Sequence, residues 1–139
     1  MKYDEFENKL KSGSFDEVLI SLYGAEALEK QKNRYLAAAE AFTQLYPDRE
    51  EFSVFSAPGR TEIGGNHTDH QHGCVLAAAV DIDVIAVVGF HNDGIIRVKS
   101  NGYPEDIVEL SDMNINEDEF GKSSALIRGV AAVSYTHLR

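Results

Sequence analysis

A chain of 139 residues, 43% of them apolar, is long enough for about one domain with its own core, and no stretch approaches the roughly 20 apolar residues a bilayer-spanning helix needs. The N-terminus, Met1-Lys2-Tyr3-Asp4-Glu5-Phe6, is charged and mixed, with no apolar signal region, so the expectation is a non-exported, cytoplasmic chain. A net charge of −10 without a Lys/Arg cluster argues against nucleic acid as a partner, and a single cysteine, Cys74, precludes an intrachain disulfide.

Residues 3–23 alternate charged and apolar positions. Phe6, Leu10, Phe15, Val18, Leu19 and Leu22 predict two short amphipathic helices broken at Gly13. Ser14, with Glu17 three residues on, has the form of a capping box for the second. Residues 25–45 are dominated by Ala, Leu, Glu, Lys and Gln, all good helix formers. Leu28, Tyr35, Leu36, Ala39, Phe42 and Leu45 recur there at helical spacing, and Pro47 ends the helix. Tyr35 and Phe42 are expected in the core rather than on a ligand platform.

The period then changes. Residues 52–56 alternate apolar and polar, a strand signal, and Pro58-Gly59 punctuates it. Residues 74–90 form a long apolar run whose β-branched second half predicts a buried strand, with Cys74 at its head as a small buried residue. Asn92-Asp93-Gly94 is a turn signal and residues 95–100 a return strand, which predicts a hairpin over 83–100. Residues 107–110 form another short strand, 111–119 an acidic loop, and 122–133 a helix. Helices, then closely spaced strands, then a helix make an α+β chain rather than alternating β-α-β units.

Between the first two strand signals lies Ala57-Pro58-Gly59-Arg60-Thr61-Glu62-Ile63-Gly64-Gly65-Asn66-His67-Thr68-Asp69-His70-Gln71-His72-Gly73. Loops held by rigid strands are where binding groups concentrate. A metal is one candidate: His67, Asp69, His70 and His72 offer imidazole and carboxylate suited to zinc or iron. Further ligands would have to come from elsewhere, where His91 and His137 are the remaining histidines. A metal-dependent hydrolase using His67, His70 and His72 therefore stays an alternative, and no metal site is assigned. Gly121-Lys122-Ser123 looks like the end of a phosphate loop, but Asn116 stands where the first glycine belongs and an acidic stretch precedes it. No serine sits in a Gly-x-Ser-x-Gly elbow. A polyol fits better. Sugar hydroxyls both donate and accept, and Asp69, Arg60 and His67 supply an acceptor-only carboxylate, a donor fork and an amphoteric imidazole within ten residues.

The same segment resembles the signature of galactokinases, in the GHMP family of small-molecule kinases. The family pattern G-R-V-N-L-I-G-E-H-T-D-Y runs in register with Gly59 to His70, and Ser56-Ala57-Pro58, Asp81-Ile82-Asp83 and Leu126 to Ala132 also fit. The resemblance covers about residues 50–133. It implies the N-terminal portion of a GHMP-kinase domain (ribosomal protein S5 domain 2-like) over residues 49–133, preceded by a helical segment over 1–48. It implies ATP-dependent phosphorylation, with Mg²⁺, of the anomeric hydroxyl of galactose or a related sugar. Arg60 would lie at the anomeric hydroxyl and the transferred phosphate, and Asn66, His67 and Asp69 would hold sugar hydroxyls. Asn66 replaces the family glutamate, His70 the tyrosine and Glu62 the asparagine, which leaves the exact sugar open. The family's Gly/Ser-rich phosphate loop does not occur in these residues, and the resemblance places the catalytic aspartate beyond residue 139. No cofactor-binding residue is therefore assigned. A non-catalytic galactose-binding sensor is the alternative within the family. The string Ser134-Tyr135-Thr136-His137-Leu138-Arg139 resembles translated sequencing adaptor and is expected to be a non-native tail. By itself the chain is expected to leave an apolar sheet face uncovered, to be marginally stable, and to be inactive.

Overall fold

The structure, a computed structural model, describes residues 1–65 and 72–137. It is α+β and divides into two units, Met1–Phe90 and His91–Arg139.

The first unit opens with α1 (Tyr3–Lys11) and α2 (Asp16–Tyr23). Phe6 and Leu10 fall on one face of α1 and are buried. The other face carries Glu5–Lys9 and Glu7–Lys11 pairs at 2.6 and 2.7 Å. Gly13 breaks the helices as expected, with a φ of 82° that a side chain rarely adopts. The capping box does not form. Phe15 is the N-cap and makes no side-chain cap bond, while the Ser14 hydroxyl lies 3.0 Å from that of Ser12. Phe15 packs its ring on Phe6, 5.8 Å between centroids, and this contact starts the helix one residue late.

A single 3₁₀ turn (Ala25–Ala27) leads into α3 (Leu28–Leu45). Tyr35, Ala39 and Phe42 are buried along it, as the spacing predicted. Leu45, Val18 and Leu22 are exposed instead. Leu22 and Leu45 lie in the last turns of α2 and α3, past the residues each helix buries. The core joins Phe6, Leu10, Leu19, Tyr35, Ala39, Phe42 and Phe52. The Phe52 ring stands edge-on to both Phe6 (5.5 Å) and Phe42 (5.7 Å). Each such burial stabilises by roughly 1.5–3 kcal/mol.

The strands β1 (Ser53–Gly64) and β2 (Leu76–Val88) form a long antiparallel ribbon, from Ser53 opposite Val88 to Gly64 opposite Leu76. This replaces the hairpin expected over 83–100. A 13-residue strand completes its ladder with the 12-residue β1 better than with a short successor. Pro58-Gly59 does not end β1 either. The register steps there, from Pro58 opposite Asp83 to Gly59 opposite Val80, so Asp81 and Ile82 bulge out of β2. Proline lacks the ladder N–H and is tolerated at such an irregularity. Nor is β2 buried on both faces. Ile85 and Val87 pack on the core, whereas Val84 is 71% exposed and Ile82 74%. The helices cover one face only, which matches the expected uncovered sheet face.

In the second unit β3 (Ile95–Lys99) pairs with β4 (Glu105–Glu109). Gly94, at a φ of 72°, closes the turn before β3, and Asp93 accepts from the Ile95 N–H at 3.0 Å. The acidic stretch after β4 contains a 3₁₀ turn (Glu117–Glu119). The final helix α4 (Ser123–His137) runs four residues past the expected end at 133, with no proline or glycine there to stop it. Arg128 ties α4 back, gripping the Glu119 carboxylate at 2.7 and 2.8 Å and the Glu109 carbonyl at 3.1 Å. Among the described residues no helix is long and apolar enough to cross a membrane.

Candidate functional site

β1 ends at Gly64 and β2 begins at Leu76, directly opposite it at the end of the ribbon away from the Ser53–Val88 pair. Of the expected sugar contacts, Arg60 sits on β1 opposite Ala79 and is exposed. Asn66, His67 and Asp69, together with His70, lie outside the described residues. Both shoulders of the loop are held by unusual backbone. Gly65 has a φ of 110°, and a Cβ there would lie 2.5 Å from the Cys74 carbonyl oxygen and 2.6 Å from the Val75 Cα. The strands close at this neck too tightly for any side chain, so glycine is required. On the opposite shoulder His72 adopts a φ of 61°, which is uncommon for a residue with a Cβ. Cys74 is exposed rather than buried, because it precedes β2 where no helix covers the chain.

A second glycine shapes the approach to Arg60. A Cβ on Gly59 would stand 2.9 Å from both the Ile82 carbonyl oxygen and the Val80 side chain. The backbone just before Arg60 is thus pressed against the bulge of β2.

The far side of that bulge is tied to the helices. Asp83 Oδ1 accepts from Arg34 Nη1 at 2.6 Å, and the Asp83 carbonyl oxygen accepts from Arg34 Nη2 at 3.0 Å. Asp83 Oδ2 accepts from the Tyr23 and Ser56 hydroxyls, each at 2.6 Å. The Tyr23 hydroxyl is in turn 2.7 Å from that of Tyr35. The Asp83 side chain is 11% exposed. Burial alone would raise its pKa, but the bonds from Ser56, Tyr23 and Arg34 outweigh it and hold the carboxyl below its ordinary value. Burial and donation to Asp83 push the Tyr23 hydroxyl up. Sequence reasoning met Asp83 as part of a matching stretch and assigned it no role. The available signal was two carboxylates, Asp81 and Asp83, inside an apolar strand; whichever of them is buried needs a partner.

Neither of the other candidate chemistries gains from the described residues. Among them no group of three His, Cys, Asp or Glu side chains is placed to hold a metal. The Gly121-Lys122-Ser123 segment does not fit a nucleotide phosphate. The Ser123 hydroxyl is committed to Asp106 at 2.8 Å and the Lys122 N–H to the Glu119 carbonyl at 2.9 Å. Glu117 and Asp118 lie in the 3₁₀ turn just before this segment and disfavour an anion there.

The comparisons with known proteins meet this site. Residues 40–90 match the model of the galactokinase galactose-binding signature. The chain is 39% identical over 71 residues to a galactokinase of Streptomyces coelicolor, covering 51% of this chain and 18% of that protein. It is 30% identical over 98 residues to a galactokinase of Lacticaseibacillus casei, covering 70% and 25%. It is 36% identical over 72 residues to a galactokinase of Dictyostelium discoideum, covering 50% and 14%. The chain thus spans about a quarter or less of the curated relatives it matches. No solved structure matches it.

Proposed function

From a chain that carries the galactokinase galactose-binding signature over residues 40–90, we propose that it supplies the sugar-binding half of the active site of a galactokinase-like sugar kinase. The reaction would be phosphoryl transfer from ATP to the anomeric hydroxyl of galactose or a close relative, in the cytoplasm, within a GHMP-type domain. The signature match carries this reading. The ribbon supports it, because the glycine-closed neck fixes the strand ends on either side of the signature's polar residues, and a binding site needs a rigid frame. In this reading the chain's part is to hold the sugar. Asp69 would accept from sugar hydroxyls, His67 would accept or donate, and Asn66 would do both without charge. Arg60 would orient the anomeric hydroxyl and offset negative charge developing at the transferred phosphate.

Titration calorimetry of the 139-residue chain with galactose tests the reading. Saturable binding is expected, and Asp69→Ala should weaken it by roughly 1–3 kcal/mol, the cost of unpaired polar groups. No binding by the parent chain, or unchanged affinity in the variant, would contradict the assignment. Stoichiometric zinc in a metal analysis would favour the hydrolase instead.

A further inference from the structure

We infer that Asp83 is a positioning residue for Arg60: it sets the register of the ribbon at the bulge and thereby where the arginine is presented. The choice of Arg60 as the group being positioned rests on the sugar-site reading above. The geometry carries the rest.

Three elements converge on Asp83: α2 through Tyr23, α3 through Arg34, and β1 through Ser56. Arg34 bonds both the Asp83 carboxylate and its backbone carbonyl, so it fixes the main chain and not only the side chain. Asp83 is the last paired residue before the bulge, opposite Pro58. Asp81 and Ile82 then pass without partners, and pairing resumes with Gly59 opposite Val80 and Arg60 opposite Ala79. The Ile82 carbonyl packs against Gly59 closely enough to exclude a Cβ. A continuous contact therefore runs from Arg34 through Asp83 and the bulge to Gly59, the residue before Arg60.

A bulge is a place where register can slip, and a slip of one residue turns every later side chain to the opposite face. Beyond the bulge β2 sets Val80 and Leu76 opposite glycines, Gly59 and Gly64, and Ala77, Ala78 and Ala79 opposite the rest, pairs with too little cross-strand side-chain contact to lock one register by packing. The Asp83 cluster is the specific lock on the helix-backed side.

The test is nuclear magnetic resonance of the 139-residue chain. Cross-strand contacts are read at two places: Val54 with Val87 before the bulge, and Gly59 with Val80 and Arg60 with Ala79 beyond it. In Asp83→Asn the contacts beyond the bulge should be lost or re-registered while Val54–Val87 persists. Galactose affinity should fall on the order of tenfold, the scale of coupling through a packed network. Asp83→Glu, which keeps the charge, should restore part of both. Unchanged contacts at Gly59 and Arg60 in Asp83→Asn overturn the inference. If Asp83→Asn unfolds the chain, Arg34→Lys decides, since it breaks the two-point grip on the Asp83 carboxylate and carbonyl while keeping a positive charge beside it. Weakened contacts at Gly59 and Arg60 beside intact Val54–Val87 then support the inference, and equal loss at both places or no loss overturns it. A parent chain that binds no galactose sinks the sugar reading and leaves the register test standing.

Discussion

The two halves of the β1–β2 ribbon are made from the same pair of strands and are held in different ways. The near half, residues 53–58 with 83–88, lies against the helices. Val54, Ile85 and Val87 join the core there, and Asp83 is tied to α2 and α3. The far half, residues 59–64 with 76–80, has little such backing. Arg60, Thr61 and Ile63 are exposed, and Leu76 is 61% exposed. What shapes it is backbone chemistry: Gly59 pressed on the bulge and Gly65 closing the neck. The contrast teaches how a strand pair can be carried beyond the core that supports its base. Packing fixes the base, hydrogen bonds fix the register, and glycine-only contacts set the path beyond.

The largest blow to the contrast should fall at the base. Phe52→Ala removes a ring wedged between Phe6 and Phe42 and should cost about 3–5 kcal/mol, read as the urea midpoint. A loss below about 1 kcal/mol would mean the near half is not held by packing. Next comes the neck. Gly65→Ala forces a Cβ into the Cys74 carbonyl at a φ alanine disfavours, for roughly 1–3 kcal/mol. The loss should appear as faster amide exchange near residues 64 and 76, with α1 and α3 unaffected. Uniform exchange throughout would erase the distinction between the halves.

Acid should probe the lock between them. The folded-state pKa of Asp83 lies below its unfolded value, so its contribution is fully present at neutral pH. It is lost as pH falls through the ordinary carboxylate pKa of about 3.9 toward the lower folded one, because the unfolded chain takes up the proton first. Chemical denaturation from pH 7 downward should show the gap between parent and Asp83→Asn closing in that range. A gap that stays constant would remove the ion pair as the cause. The smallest effect belongs to the uncovered face. Val84→Thr, at a 71% exposed position, should change stability by no more than about 0.5 kcal/mol. A loss of about 2 kcal/mol would show that this face is covered in solution.

Much of this was legible residue by residue. The helix break at Gly13 and the stripe of Tyr35, Ala39 and Phe42 rest on local rules: backbone freedom and helical period. The errors have a common cause. Ser14 and Glu17 had cap spacing, but the contact between Phe15 and Phe6 overrode it. Asn92-Asp93-Gly94 was a true turn, yet it could not say which strands pair on either side of it. Cys74 belonged to an apolar run, but burial depends on whether another layer covers that end.

The sequence by itself determined the kinds of group on offer, the α+β order and the resemblance of residues 50–133, since these follow from composition, period and motif. Only the tertiary structure decided that β2 pairs with β1 across a bulge and that Asp83 meets Tyr23, Arg34 and Ser56. Tyr23 and Arg34 lie 60 and 49 residues from Asp83 along the chain. No local pattern encodes contacts at that separation, because they form only after the helices have packed and brought the strands into register.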